Sequence, residues 1–292
     1  MKLPYYPGCT LKANARHFEK SAIQAMEKLD FQLVEMKDWV CCGTVFSMTS
    51  DDLMLQLASV RNLLRAEKQN LKELIVLCSM CYNTLKRAND FIVKDKGNLE
   101  KVNNFMYKEN LTYSGKIEIY HLLSILKDRI GFSVIAEKVK KKLSALKIGA
   151  YYGCLLVRPE ELAIDNFEDP SIFEDLISTL GGESLDFAYK LECCGAYQTV
   201  TKKDVSVKRV YEILNSARES GCEAIVTSCP LCAYNLDFLQ KDVEEEYLDF
   251  NRIPVFYFTE LMAVALGCGW DKNWSSLHFT DPEPLLREKG LI

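Results

Sequence analysis

The chain has 292 residues, of which 48% are hydrophobic and 26% charged, a composition typical of a globular protein with a sizeable core. Its formal net charge of −5 excludes a protein whose overall field attracts nucleic acid. Its apolar runs are too short to cross a bilayer and its N-terminal residues lack an apolar signal region, so we expect a cytoplasmic protein.

The first half of the chain alternates between helical and extended patterns. The predicted elements are a helix over 12–29, a strand over 31–36, a helix from a cap at 50 or 51 to about 70, a strand over 74–78 and a helix that begins near Cys81. The segment IEIY, before His121, predicts a further strand.

The second half repeats this order. Its predicted elements are a strand over 147–153, a helix over 201–220, a strand over 223–228, a helix over 231–245, a strand over 254–258 and a helix over 259–267. Strands that alternate with helices predict an α/β fold with mostly parallel sheets.

Ten of the twelve cysteines form an internal repeat, and the chain has only three histidines. Each half contains a single cysteine, a Cys-Cys-Gly and a Cys-x2-Cys. The first cysteine set is Cys9, Cys41, Cys42, Cys78 and Cys81, and the second cysteine set is Cys154, Cys193, Cys194, Cys229 and Cys232. We therefore predict a tandem duplication, with one domain over 1–146, a second over 147–270 and a C-terminal tail over 271–292.

Cysteines of both sets follow predicted strands. In parallel α/β sheets, binding sites form outside the carboxyl ends of the strands, so distant segments of each half can converge there. Helix N-termini at this edge favour thiolates. Gly43 and Gly195 are expected to permit a tight turn beside the adjacent cysteines.

Five cysteines per half exceed the needs of common metal sites. A structural zinc ion takes four ligands, and so does a four-iron cubane cluster. The surplus thiol is a fifth ligand, a catalytic thiol or a packed core residue. Adjacent thiols suit an opened cluster, in which they bridge and cap neighbouring irons. Cys222 and Cys268 lack counterparts in the first half and are expected to be ordinary thiols.

The two motifs resemble the cysteine-rich CCG domain, and over nearly the whole chain they resemble the B-type subunit of the heterodisulfide reductases of methanogens and their relatives. The resemblance implies that each cysteine set holds one noncubane [4Fe–4S] cluster through all five cysteines. It also implies reduction of the coenzyme M–coenzyme B heterodisulfide to two thiols. Two clusters facing one S–S bond would each donate one electron and bind one product sulfur.

Partners are implied in the same way. The sequence contains neither a GxGxxG dinucleotide motif nor a ferredoxin-type cysteine run, so we expect another protein to deliver the electrons. The resemblance implies an iron–sulfur subunit of the C type and a flavin-bearing subunit of the A type, with a hydrogenase or a formate dehydrogenase behind them.

Several side chains near the cysteines are weaker candidates. Lys12 and Arg158 could neutralise an anionic substrate, and His17 or His121 could supply protons. The tyrosines that precede the first cysteine of each set could cover the clusters; these are Tyr5, Tyr6, Tyr151 and Tyr152.

Two other functions stay open. One is an electron relay, as in lactate- or glycolate-oxidising complexes. The other is a zinc-stabilised interaction module, in which the thiols are structural ligands.

Overall fold

The computed structural model describes residues 1–44, 52–144 and 146–292. The first half forms a four-stranded, fully parallel sheet in the order β2-β1-β3-β4. Its strands are β1 (Lys2–Tyr6), β2 (Gln32–Glu35), β3 (Glu73–Val76) and β4 (Glu118–His121). Its α-helices are α1 (Gly8–Leu11), α2 (Arg16–Lys28), α3 (Leu57–Lys68), α4 (Ser79–Val93), α5 (Lys96–Phe105), α6 (Leu122–Ser124) and α7 (Phe132–Lys138).

The second half forms an equivalent parallel sheet in the order β6-β5-β7-β8. Its strands are β5 (Lys147–Ala150), β6 (Glu183–Leu185), β7 (Ala224–Thr227) and β8 (Val255–Tyr257). Its α-helices are α8 (Ile172–Thr179), α9 (Lys203–Glu219), α10 (Pro230–Phe238), α11 (Gln240–Glu246), α12 (Phe258–Ala265), α13 (Lys272–Ser275) and α14 (Glu283–Glu288). The prediction of a duplicated α/β fold with parallel sheets is confirmed.

The remaining helical segments are short and irregular. They are 3₁₀ helices at Leu53–Gln56, Tyr107–Glu109 and Glu160–Leu162, and a π-helix at Ile125–Ile130 that continues α6.

Some predicted boundaries shift for physical reasons. The helix predicted over 12–29 begins at Arg16, because the chain first forms the short helix α1 around Cys9. The helix predicted over 231–245 divides at Leu239 into α10 and α11. The caps predicted at 50 or 51 lie outside the described residues, and the carboxylate of Asp52 accepts a hydrogen bond from the Met54 amide at the start of the 3₁₀ helix.

The two halves join through packed helices. Helix α2 of the first half packs against α12 of the second. The ring of Phe258 lies 5.7 Å from that of Phe18 and 5.9 Å from that of Phe173, measured between centroids. The hydroxyl groups of Ser21 and Thr259 are 2.6 Å apart within the same buried contact. The predicted tail also joins the core, since Trp274 and Leu286 are fully buried.

Within the described ranges, we find no helix with the length and apolar character needed to span a bilayer.

Candidate metal centres

The carboxyl edges of the sheets bring the cysteines together. Cys9 lies in α1, directly after β1, and Cys154 follows β5. Cys78 and Cys229 are the N-cap residues of α4 and α10, which follow the central strands β3 and β7. The prediction that the cysteine groups lie at strand ends is confirmed for these residues.

The first cysteine set forms a continuous contact. The Sγ atoms of Cys9 and Cys41 are 3.9 Å apart. Cys41 contacts Cys42, which in turn contacts Cys81. Cys81 contacts Cys78, and its backbone N–H points at the Cys78 sulfur at 3.5 Å. All five predicted ligands of this half therefore meet.

The second cysteine set has the same arrangement. Cys154 contacts Cys193, and Cys193 contacts Cys194. The Sγ atoms of Cys194 and Cys232 are 3.5 Å apart, and Cys232 contacts Cys229. All five predicted ligands of the second half also meet.

The two sets touch each other at the interface between the halves. The thiol of Cys78 contacts the thiol of Cys229. Beside them the hydroxyl oxygens of Ser79 and Ser228 are 2.6 Å apart, and the Ser79 amide donates to the Ser228 carbonyl at 3.2 Å. The ten thiols thus form one chain of contacts, in which each thiol touches the next from Cys9 to Cys154.

The first cysteine of each Cys-Cys-Gly has a lowered pKa. Hydrogen bonds from Cys42 and Cys9 and from the Gly43 amide hold the pKa of Cys41 well below its usual range. In the second half, Cys154 and Cys194 lower the pKa of Cys193 in the same way, and the Gly195 N–H points at its sulfur at 3.4 Å. Five closely gathered thiols in each half, with a backbone donor aimed at the thiol whose pKa is lowered, fit an iron–sulfur cluster or another thiolate-bound metal.

The sequence model of the family described as "CCG: Cysteine-rich domain" matches residues 3–86 and 148–237. The chain belongs to this family. The resemblance drawn from the cysteine motifs is confirmed, and so is the presence of two copies of the domain.

Two curated relatives match over most of the chain. The "8-methylmenaquinol:fumarate reductase membrane anchor subunit" of Wolinella succinogenes is 34% identical, with 90% of this chain and 91% of the relative covered. The B-type subunit of the "Ferredoxin:CoB-CoM heterodisulfide reductase" of Methanosarcina mazei is 28% identical, with 93% of this chain and 91% of the relative covered.

A solved structure shares the fold. The crystal structure of a hypothetical protein from Helicobacter pylori aligns with a TM-score of 0.74 at 14% identity. The alignment covers 95% of this chain, and the chain spans 51% of that structure.

Polar residues that the motifs did not indicate fix both CCG loops. On α3, the Ser59 hydroxyl donates to the carbonyl of Cys42 at 2.6 Å, and the Asn62 amide donates to that of Cys41 at 3.5 Å. In the second half, Ser206 of α9 and Asn235 of α10 donate to the carbonyls of Gly195 and Cys194 at 2.9 and 2.6 Å. Serine and asparagine are common helix residues, so only the fold reveals this function.

The candidate tyrosines also hold these loops. Tyr6 donates to the carbonyl of Val40 at 2.7 Å, and Tyr151 donates to the carbonyl of Glu192 at 2.6 Å. Each acceptor directly precedes the adjacent cysteines, so the two tyrosines have equivalent roles. Tyr5 and Tyr152 instead donate to the carboxylates of Glu19 and Glu174.

The remaining candidates have other partners. Lys12 forms ion pairs with Glu19 at 2.5 Å and Glu35 at 2.6 Å, and Arg158 is exposed.

The Nε2 atom of His121 is 2.8 Å from the Leu77 carbonyl, and its Nδ1 accepts from the Leu123 amide at 3.2 Å. Both ring nitrogens of His121 are therefore engaged by the backbone, which disfavours proton donation to a substrate.

The two cysteines without counterparts lie outside both sets. Cys222 is buried near Leu185, with its sulfur 4.0 Å from the Leu185 carbonyl. Cys268 packs at the edge of the core beside Lys28, near Glu27.

A cavity of about 620 Å³ opens between the halves. Its walls come from α1 and α2 of the first half and from α10, β8 and the tail of the second. Thr10, which follows Cys9, and Leu231, which lies between Cys229 and Cys232, both line it. The cavity thus reaches residues next to both cysteine sets.

A separate small cavity of about 10 Å³ lies against the second cysteine set. All five cysteines of that set line it, together with Ser79 and Met80 from the first half.

Gly8 permits the close approach of α1 to Cys81. Its φ is +72°, and a Cβ atom there would lie 3.0 Å from the Cys81 sulfur. We predict that Gly8→Ala lowers the iron content of the purified protein by displacing Cys81. Gly290→Ala is the matched control, because φ is +66° there and a Cβ would meet no atom within 4 Å.

Both substitutions place a side chain in the left-handed region, at a cost of about 1–2 kcal/mol. Iron analysis and thermal unfolding therefore separate the two effects. Equal iron in both variants would show that the contact with Cys81 is unimportant for the site.

Proposed function

We propose that the chain is the catalytic iron–sulfur subunit of an oxidoreductase, and that it reduces the coenzyme M–coenzyme B heterodisulfide. In this proposal the first and second cysteine sets each hold one noncubane [4Fe–4S] cluster. The observation on which the proposal rests is the contact between the two sets at Cys78 and Cys229. The relatives named as B-type subunits of heterodisulfide reductases support the choice of substrate.

The chemistry needs two electrons and two protons, because cleavage of one S–S bond yields two thiols. Iron–sulfur clusters exchange single electrons, so an adjacent pair supplies both. The chain holds the paired sites together through Ser79 and Ser228 and buries Cys78 and Cys229, which excludes water from the junction. Hydrogen bonds from the thiols of Cys232 and Cys78, and then from the backbone N–H groups of Cys232 and Leu231, lower the pKa of Cys229.

A reductase subunit of this kind must receive its electrons from a partner protein. The names of the relatives describe them as subunits, which supports a multi-subunit complex. We propose an iron–sulfur subunit of the C type and a flavin-bearing subunit of the A type as partners, with a hydrogenase or formate dehydrogenase as the source of electrons.

Oxidation of a quinol is the second candidate. The relative from Wolinella succinogenes is named for 8-methylmenaquinol, and it is 34% identical to this chain. The cavity between the halves favours such a ligand, since the aromatic side chains of Tyr234, Phe238 and Phe279 line its wall. A volume of about 620 Å³ is in the range of small-molecule sites.

Single-turnover reactions under anoxic conditions distinguish the candidates. Holoprotein with reduced clusters is mixed with the heterodisulfide, and the released thiols are counted. Two thiols per disulfide are expected, and the thioether analogue without an S–S bond is the control. Iron-loaded protein that releases no thiol would reject disulfide reduction. Reduction of the oxidised holoprotein by a menaquinol would instead support the second candidate.

A further inference from the structure

Three buried side chains meet at the inner wall of the cavity, and they come from distant parts of the chain. His17 lies on α2, Glu260 on α12 and His278 in the tail. One ring nitrogen of each histidine and one carboxylate oxygen of Glu260 lie within 4.8 Å of one another. His17 is 4% exposed, and the side chains of His278 and Glu260 are 2% and 0% exposed.

The coordinating capacity of this group is only partly used within the protein. The Nε2 atom of His278 lies 3.0 Å from Glu260 Oε1. The Nδ1 atom of His17 is buried and, in the part of the chain that the structure describes, has no hydrogen-bond partner. An orphaned nitrogen of this kind costs free energy unless something binds it.

Neighbouring groups hold the ligands in place. The Tyr257 amide donates to Glu260 Oε2 at 2.8 Å, which fixes the carboxylate and leaves Oε1 facing the histidines.

His278 forms a hydrogen bond with the backbone of Val255, and its Nδ1 lies 3.9 Å from Asp237 Oδ2. Asp237 is itself fixed by the amides of Phe279 and Thr280, each at 2.8 Å. Metal-binding histidines typically have such partners on the second ring nitrogen.

We propose that His17, Glu260 and His278 bind a divalent zinc ion, separate from the cysteine sites. Two imidazoles and one carboxylate are a ligand set of catalytic zinc sites, in which a fourth position stays open. His17, His278 and Asp237 line the cavity, so the open position faces a ligand that enters it. An anionic sulfur or oxygen atom of a small molecule is the class of ligand that this position would take.

The group is specific to one face of the duplicated fold. Val76 pairs with His121 in the first sheet, and Thr227 pairs with Tyr257 in the second, so His121 and Tyr257 have equivalent positions. Ser124 and Glu260 each lie three residues further along the chain, so Ser124 is the counterpart of Glu260. The third histidine, His121, lies at the equivalent place in the first half, where the backbone engages both of its ring nitrogens. The proposed ligand set therefore does not follow from the repeat of the cysteine motif.

X-ray absorption at the zinc edge of the anoxically purified, full-length holoprotein tests the site. We expect about one zinc ion per chain, with a shell of nitrogen and oxygen atoms at about 2.0–2.1 Å. No zinc, or zinc surrounded by sulfur at about 2.3 Å, would overturn the proposal, since sulfur would place the ion in a cysteine set.

Variants provide the second test. His278→Gln should reduce the zinc content from about one to near zero per chain and leave cluster iron and sulfide unchanged. His121→Gln, another buried histidine, should retain the zinc. Equal zinc in the two variants would also overturn the proposal. These measurements use no substrate, so their outcome is independent of the proposed reaction.

Discussion

Cys81→Ala is expected to lose about half of the iron and acid-labile sulfide of the wild-type protein, for which the two proposed four-iron clusters would give about eight irons per chain. Cys81 contacts both Cys42 and Cys78, so it is central to the first cysteine set. Cys232→Ala is the matched variant, because Cys232 contacts both Cys194 and Cys229 in the second set. Each substitution should empty its own half and leave the other half loaded.

Cys222→Ser and Cys268→Ser are the controls, since neither residue belongs to a set, and both should retain the wild-type iron. Because Cys78 touches Cys229, one result would change the interpretation decisively. If Cys81→Ala or Cys232→Ala removes all the iron, the ten thiols hold one joint centre and the assignment of one cluster per half is wrong.

Phe258→Ala is expected to lower the free energy of unfolding by about 3–5 kcal/mol, the usual cost of truncating a buried phenylalanine. The Phe258 ring is 1% exposed and lies between Phe18 of the first half and Phe173 of the second. It also lies 6.3 Å from the ring of His121, measured between centroids. Its loss would leave a cavity at the centre of the interface between the halves.

Urea unfolding under anoxic conditions, followed by tryptophan fluorescence, measures the change. Phe105→Ala is the control, because Phe105 is 52% exposed and should change stability by less than about 0.5 kcal/mol. A loss below about 1 kcal/mol for Phe258→Ala would show that this interface contributes little to stability.

The cysteine sites were the most predictable part of the molecule. Five cysteines repeated in two halves, with Cys78, Cys154 and Cys229 at the ends of predicted apolar strands, indicated which residues converge and at which edge of the sheet. The central strands β3 and β7 are almost wholly buried, so their continuous apolar runs were also clear.

The sequence did not predict contacts that depend on how the halves pack. His17 and His278 are 261 positions apart, and nothing in the local pattern of either residue indicates the other. The same holds for Cys78 and Cys229, whose contact requires both sheets to turn the same edge towards the interface. The breaks at Ala15 and Leu239 likewise depend on local packing, because both flanking sequences have helical periodicity.

The two faces of the interface differ although the sheets are equivalent. On the face of α4, Asn83 donates to the carbonyls of Leu155 and Arg158 at 2.9 and 2.7 Å, and Tyr82 donates to that of Leu162 at 3.0 Å. The segment 155–162 thereby covers α4. On the face of α10, the wall of the 620 Å³ cavity includes Ala233 and Tyr234, which have the corresponding positions after Cys232.

In an ancestral pair of identical single-domain chains, two-fold symmetry would have made both faces the same, so each mutation would have appeared twice. Fusion of the two copies into one chain removes that constraint. One face can then be closed for stability while the other stays open for a ligand, and each can evolve without affecting the other. Gene fusion thus provides a route from a symmetric dimer to a protein with a single specialised binding face.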